Sequence, residues 1–179
     1  MVASTKWTGR LRWWGRATVL VGLLAGATLV VASPAAAAVA GDQMRGQFKN
    51  LATGQCLDSN LNGAVYMLPC QEGNRWQSWE INFYGTKSNE GYDNVWLRNA
   101  HTRLCLTLYT ALDLEPAAQT SDCHGYGGNQ KFDGRGTSWN NVQLRVLYNG
   151  PFCVDARRSY VAGDCTFDSY QTWGLVYRY

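Results

Sequence analysis

Six cysteines are the residues here whose type and number most plainly offer chemistry: Cys56, Cys70, Cys105, Cys123, Cys153 and Cys165. As thiolates they would hold a metal ion; as oxidised pairs they would cross-link the chain. Metal ligation calls for close sets such as C-x-x-C with histidines in range. No C-x-x-C occurs, and His101 and His124 have no ligand-like partners nearby in sequence, so neither a metal nor a cofactor is expected. Catalysis is no better served. No Ser-His-Asp or Cys-His constellation stands out, the acidic residues are scattered, and a glycosidase would need two carboxyl groups facing one bond. The protein is therefore expected to bind rather than to catalyse.

Disulfides need an oxidising compartment, and the start of the chain supplies a route to one. Lys6, Arg10, Arg12 and Arg16 precede an acid-free apolar run over 17–32, and Ala38-Val39-Ala40 follows as a small-residue cleavage site. The 16 residues of that run fall short of the ~20 that span a bilayer. The layout predicts a signal peptide over 1–40, a secreted extracellular product and no membrane insertion after cleavage. Of the 16 basic residues four lie in the leader, which leaves 12 against 13 acidic ones, a net charge near −1. Such a mixed surface gives no electrostatic reason to expect nucleic acid as a partner. The remaining 139 residues, 41–179, fit one domain.

The cysteines also mark a repeat. Cys56 to Cys105 is 49 residues and Cys105 to Cys153 is 48. After each second cysteine comes a glutamine followed two residues later by a large aromatic: Gln77-Ser78-Trp79, Gln130-Lys131-Phe132 and Gln171-Thr172-Trp173. Each unit runs apolar-basic, turn, Cys-apolar, loop, Cys, Gln-x-aromatic. Pairing within units joins Cys56 to Cys70, Cys105 to Cys123 and Cys153 to Cys165, each bridge contributing on the order of 3 kcal/mol by restricting the unfolded chain.

The elements that must carry these residues are strands. Short alternating runs such as 94–98 and 141–146 are bounded by Gly, Asn and Asp clusters, and no stretch after the leader keeps a helical period. Three similar units, each too small to bury its apolar side chains alone, have to share one core.

The combination of C-[LV]-[DT], a second Cys and Q-x-[WF] in three tandem copies, over residues 44 to 179, resembles the ricin-type (QxW) β-trefoil lectin and carbohydrate-binding module family. The resemblance implies an all-β β-trefoil of three lobes, about 44–92, 93–138 and 139–179, with pseudo-threefold symmetry. It makes Trp79, Phe132 and Trp173 the central aromatics, with the recurring Gln partly structural, bonding backbone where the chain turns.

In that family a working lobe has an Asp just after the first cysteine to accept sugar hydroxyls, an aromatic before the second to stack on the sugar, and an Asn before the QxW Gln. Carried over, the first lobe keeps Asp58 and Gln77. Leu68 stands at the stacking position and Trp76 at the Asn position, so Tyr66 would supply the ring and Asn60, Asn62 or Asn74 the amide. The third lobe keeps Asp155 and Gln171, with Gly163 at the stacking position and Tyr160 or Tyr170 as the available ring. The second keeps Asn129 and Gln130, but Thr107 and Ser121 replace the acid and the ring, so it is expected to be silent. Its longer loop, with Leu112, Leu114 and Pro116, is free to pack or to meet a partner. The carbohydrate-binding set is thus Asp58, Tyr66, Asn74, Gln77, Asp155 and Gln171. Other roles stay open: a turn carboxylate for Asp58, a surface ion pair with Arg157 and Arg158 for Asp155, and half-buried strand positions for Tyr66 and Trp76.

The expected function is secreted, non-enzymatic binding of galactose- or xylose-type glycans or polysaccharides. The alternative is a degenerate trefoil that binds a protein, as an inhibitor or a toxin-accessory module. Intact-mass analysis of the exported protein should show a chain beginning at Gly41 with no free thiol, and peptide mapping should join cysteines only within units. A bridge between units would overturn the repeat.

Overall fold

Alternation of buried and exposed side chains with a period of two builds this molecule. In the run expected to form a strand over 94–98, Val95, Leu97 and Asn99 point inward, while Trp96 and Arg98 are half-buried. The run over 141–146 does the same with Val142, Leu144 and Val146. The computed structural model describes residues 43–109, 116–124, 127–148, 150–158 and 160–178. The expected leader, its cleavage site, and Leu112 and Leu114 lie outside the described residues.

The described chain is all β. Its strands are β1 (Gln43–Asn50), β2 (Gln55–Ser59), β3 (Val65–Pro69), β4 (Ser78–Phe83), β5 (Asp93–Asn99), β6 (Cys105–Tyr109), β7 (Ala117–Ser121), β8 (Phe132–Ser138), β9 (Asn141–Val146), β10 (Phe152–Val154), β11 (Ala162–Asp164) and β12 (Trp173–Val176). Short 3-10 turns at Gly128–Gln130 and Ser169–Gln171 precede β8 and β12.

Six strands close a ring. β1 pairs with β4, β4 with β5, β5 with β8, β8 with β9, β9 with β12, and β12 returns to β1, all antiparallel. Closure leaves these six without a free edge. The other strands form hairpins hung on the ring: β2–β3 through Lys49 opposite Cys56, β6–β7 through Arg98 opposite Cys105, and β10–β11 through Arg145 opposite Cys153. Disulfides Cys56–Cys70, Cys105–Cys123 and Cys153–Cys165 tie each hairpin, the pairing that the repeat predicts. β7 also meets the other hairpins, since Thr120 N–H donates to Gly63 O at 2.7 Å and Ala118 N–H to Tyr160 O at 2.8 Å. A Cβ on Gly63 would lie 2.7 Å from Thr120 O, and its φ of +83° disfavours any other residue.

The core sits inside the ring. Trp79, Phe132 and Trp173 are all 0% exposed and stand at the start of β4, β8 and β12, Trp79 as the second residue of its strand, among Phe48, Leu57, Ile81, Leu97, Leu106 and Leu144. The two indoles also act as polar clips: Trp79 Nε1 donates to Leu57 O at 3.0 Å and Trp173 Nε1 to Val154 O at 3.2 Å, each tying a ring strand to its own hairpin. Phe132 has no N–H and forms no such bond. Trp139 packs edge-on against Phe48 and Phe83, at centroid distances of 6.3 and 5.5 Å.

Outside the ring Glu80 on β4 bonds Arg98 on β5 at 2.7 Å and Arg103 in the following turn at 2.5 Å. Burial alone would raise the Glu80 pKa, yet its two guanidinium partners hold it below the ordinary 4.5. A depressed carboxylate stabilises the fold above its unfolded pKa, and that contribution is lost as pH falls through the folded value.

Two measurements check this account. In urea unfolding, Trp79→Ala should cost about 3–5 kcal/mol and Trp79→Phe about 1–3 kcal/mol, the second because Leu57 O loses its buried donor. Near-native stability of Trp79→Ala would mean that the ring is not central. Glu80→Gln should cost about 1 kcal/mol at neutral pH, with wild type and variant converging in acid. A gap that persists at low pH would point to packing rather than charge.

Candidate functional site

The three glutamines of the QxW-like triplets are buried and make one pattern of bonds. Each side-chain oxygen accepts backbone N–H just beyond the second cysteine of its pair: Gln71 N at 2.9 Å for Gln77, His124 N at 2.8 Å for Gln130, and Thr166 N at 2.8 Å with Phe167 N at 3.0 Å for Gln171. Each amide donates to the carbonyl just before that cysteine: Pro69 at 3.0 Å, Asp122 at 2.8 Å and Asp164 at 2.6 Å. The expected bonding of turn backbone by the glutamines is therefore present. The same amide has a further target, the residue two beyond the first cysteine: Asp58, Thr107 at 3.0 Å or Asp155 at 2.8 Å. The glutamine thus orients the residue at the acid position of each unit.

What the acid position holds then separates the units. On β2, Asp58 is 2% exposed and faces Tyr66 across the hairpin. Its partners are the Gln77 amide, the Ser59 backbone N–H and the Tyr66 hydroxyl, all neutral. Burial pushes its pKa up from the ordinary 3.8, and those hydrogen bonds restore only part of the shift. The Tyr66 phenol is raised as well, first by burial and then by the charge of Asp58. A carboxylate offers about four lone-pair sites, which the Gln77 amide and the Tyr66 hydroxyl beside Asp58 do not fill. Tyr66 is half-buried with its ring beside this carboxylate, and Leu68, at the usual stacking position, is 42% exposed. Asn74 Oδ1 accepts the Trp76 N–H at 3.0 Å within its own turn.

Asp155 is differently placed. It is 3% exposed, and the ion pair that the neighbouring arginines suggest is present with Arg157, whose side chain is 41% exposed. One oxygen accepts Arg157 N–H at 2.8 Å; the other takes the Arg157 guanidinium at 3.3 Å and the Gln171 amide at 2.8 Å. Arg157 continues to Asp168 at 2.6 Å and lies over the Tyr170 ring at 5.0 Å. The partly exposed Tyr170 thus already carries a cation on one face. A Cβ on Gly163 would stand 3.3 Å from Asp155 Oδ2, which leaves little room for a ring at that position. Tyr160 is 57% exposed.

The second unit closes on itself. Thr107 Oγ1 and Ser121 Oγ lie 2.9 Å apart and both accept from Gln130, while Pro116 is buried. Thr107 and Ser121 thus replace the acid and the ring with a pair of hydroxyls. Among the described residues no group of three or more His, Cys, Asp or Glu is placed to hold a metal ion.

Two features escape a sequence reading. Asn50 and Asn99, each six residues before a first cysteine, bond across unit boundaries: Asn50 Nδ2 donates to Tyr170 O at 2.7 Å and Asn99 Nδ2 to Trp76 O at 2.7 Å. Their shared N-x-x-[TS]-like turn, Asn50 with Thr53 and Asn99 with Thr102, is the signal that would have found them. His101 packs against Trp76 with the rings tilted by 60° and their centroids 4.0 Å apart, a contact between units with no sequence signature.

A family model described as "Cytolethal distending toxin A/C domain" matches residues 37–133. A sequence search of curated proteins returns no match. Among solved structures the chain is similar to the Rhizoctonia solani agglutinin, at 16% identity and a TM-score of 0.58, over 78% of this chain and 98% of that one. It is similar to the Macrolepiota procera ricin B-like lectin in complex with lactose, at 14% and 0.52, over 78% and 97%. It is also similar to the Haemophilus ducreyi cytolethal distending toxin, at 16% and 0.52, over 73% and 82%. Identities this low speak to the fold, which is that of ricin-type β-trefoil lectins. Since the model match spans more than half of the chain, the chain belongs to the cytolethal distending toxin A/C domain family.

Proposed function

We propose that this protein is a secreted, non-catalytic carbohydrate-binding protein whose three units stand around a pseudo-threefold axis, and that the first unit binds galactose- or xylose-type glycans. One observation carries the reading. Asp58 is buried without a cation, although an asparagine would fill its place without the cost of a buried charge. Its use is acceptance: an anionic oxygen takes sugar hydroxyl protons more strongly than a neutral amide does. Gln77 and Tyr66 hold the carboxylate in place, and the Tyr66 ring offers an apolar face beside it. Asp155 has an arginine where a sugar would compete, and the second unit has no acid there. A single site of this kind acts alone, without the avidity that several lobes would give on one polymer. A non-catalytic role agrees with one carboxylate rather than a facing pair. The three disulfides favour an extracellular setting.

The family match favours a second reading, a toxin-accessory module that docks a protein. An array over galactosides, xylans, arabinans and mannans separates the two. On the first reading wild type binds one class, and Asp58→Asn weakens binding by about 1.5–3 kcal/mol. A carboxylate with a raised pKa destabilises the fold once ionised, and less so as pH falls toward the unfolded value. Asp58→Asn should therefore melt no lower than wild type at neutral pH, with any gain shrinking in acid. Glycan binding untouched by Asp58→Asn would remove the first-unit site, and no glycan binding at all would leave the protein-docking reading.

A further inference from the structure

Beside the Asp58 site the surface carries a groove of different character. Two hollows of about 510 and 220 Å³ share Gly73 and Arg75 in their walls and so adjoin. One side presents two guanidinium groups, the exposed Arg75 and the half-buried Arg45, whose Nε donates to Ser78 Oγ at 3.0 Å. The other presents the Trp76 indole, backed by His101. Glu72, exposed on the rim, is the acidic residue in the lining. A Cβ built on Gly73 meets nothing within 4 Å, so a ligand can approach the backbone there.

The groove is built on a fixed loop. Gln71 is held at both ends, its N–H by Gln77 Oε1 and its carbonyl by Gln47 Nε2 at 2.6 Å. Inside the loop Asn74 N–H donates to Gln71 O, Gln77 N–H to Asn74 O and Ser78 N–H to Arg75 O. Arg75 and Trp76 are thus presented on backbone that is already ordered, which lowers the entropy cost of binding. The Ser59 N–H also donates to Trp76 O, so the groove and the Asp58 site share one loop.

We propose that this groove binds the anionic group of an acidic saccharide, a carboxylate or a sulfate ester. The proposal rests on the carbohydrate-binding reading and adds the ligand's charge to it. Arginine suits such groups because its planar fork gives two parallel bonds to a carboxylate or sulfate-like oxyanion. An indole beside it covers the sugar's C–H face. The exposed Arg75 lines both hollows and supplies the charge that an acidic group would meet, whereas a neutral sugar gains nothing from it.

The test titrates the disulfide-bonded protein with two pairs of probes, a xylo-oligosaccharide with and without a glucuronosyl branch and a galactoside with and without a sulfate ester. The acidic member of at least one pair should bind about ten-fold more tightly at low salt, with the preference shrinking as salt is added. Arg75→Gln should remove the preference while leaving neutral binding and melting temperature unchanged. Glu72→Gln should widen it. Preference for the glucuronosyl probe alone assigns the groove to carboxylates, and for the sulfated probe alone to sulfate esters. Equal binding within both pairs, or a preference that survives Arg75→Gln, overturns the proposal. Neutral binding that Asp58→Asn removes, without acidic preference, overturns it while sparing the Asp58 site. Acidic binding that survives Asp58→Asn but not Arg75→Gln supports the groove against that site. No binding of any probe overturns both.

Discussion

One buried amide per unit organises everything that faces solvent on the hairpins. Gln77, Gln130 and Gln171 each bond backbone on both sides of a disulfide-bonded cysteine and reach across to the residue two beyond the opposite one. An amide suits this because it donates and accepts from one planar group; a carboxylate would repel the carbonyls, and a lysine could not accept. The disulfide fixes the two cysteines near each other, and the glutamine fixes the direction in which the chain leaves them. With that direction set, the aromatic two residues later enters the ring at a fixed depth, which is why Gln and aromatic recur together.

The same amide explains how one scaffold carries three unlike surfaces. Its N–H donates to whatever oxygen stands at the acid position, so the fold tolerates Asp58, Thr107 or Asp155 there. Neighbours then decide the chemistry. A neutral phenol leaves Asp58 with acceptor capacity, Arg157 consumes that of Asp155, and Ser121 completes a hydroxyl pair with Thr107. Structure and binding are separable because the scaffold needs only an acceptor, whereas a sugar needs a free one.

Much of this was legible in the residues. Cysteine spacing pointed to the three bridges because the cysteines recur as one pair per repeat unit. Alternation over 94–98 and 141–146 marked two ring strands, since a strand with one buried face must alternate. Burial of Trp79, Phe132 and Trp173 followed from their place in the repeat. The site was less legible. Arg157 and Arg158 suggested a partner for Asp155, but not that the carboxylate lies inside, because burial depends on packing from β11 and the Ser169–Gln171 turn. Asn74 offered an amide by proximity, and its oxygen went to its own turn. Contacts between units, such as His101 on Trp76, depend on how units are juxtaposed, which no single repeat encodes.

The ring also imposes an order in time. β1 finds one neighbour, β4, within its own unit, but the other is β12, with Gln47 opposite Val176 and Asn50 opposite Trp173. Asn50 reinforces that seam by donating to Tyr170 and Thr172, about 120 residues further on. No portion of the chain that stops short of Trp173 can close the barrel, whatever hairpins and disulfides it has already formed. Until those last residues arrive, β1 keeps an open edge toward β12 and the apolar interior stays in contact with water, so the barrel is sealed only when the final strand docks.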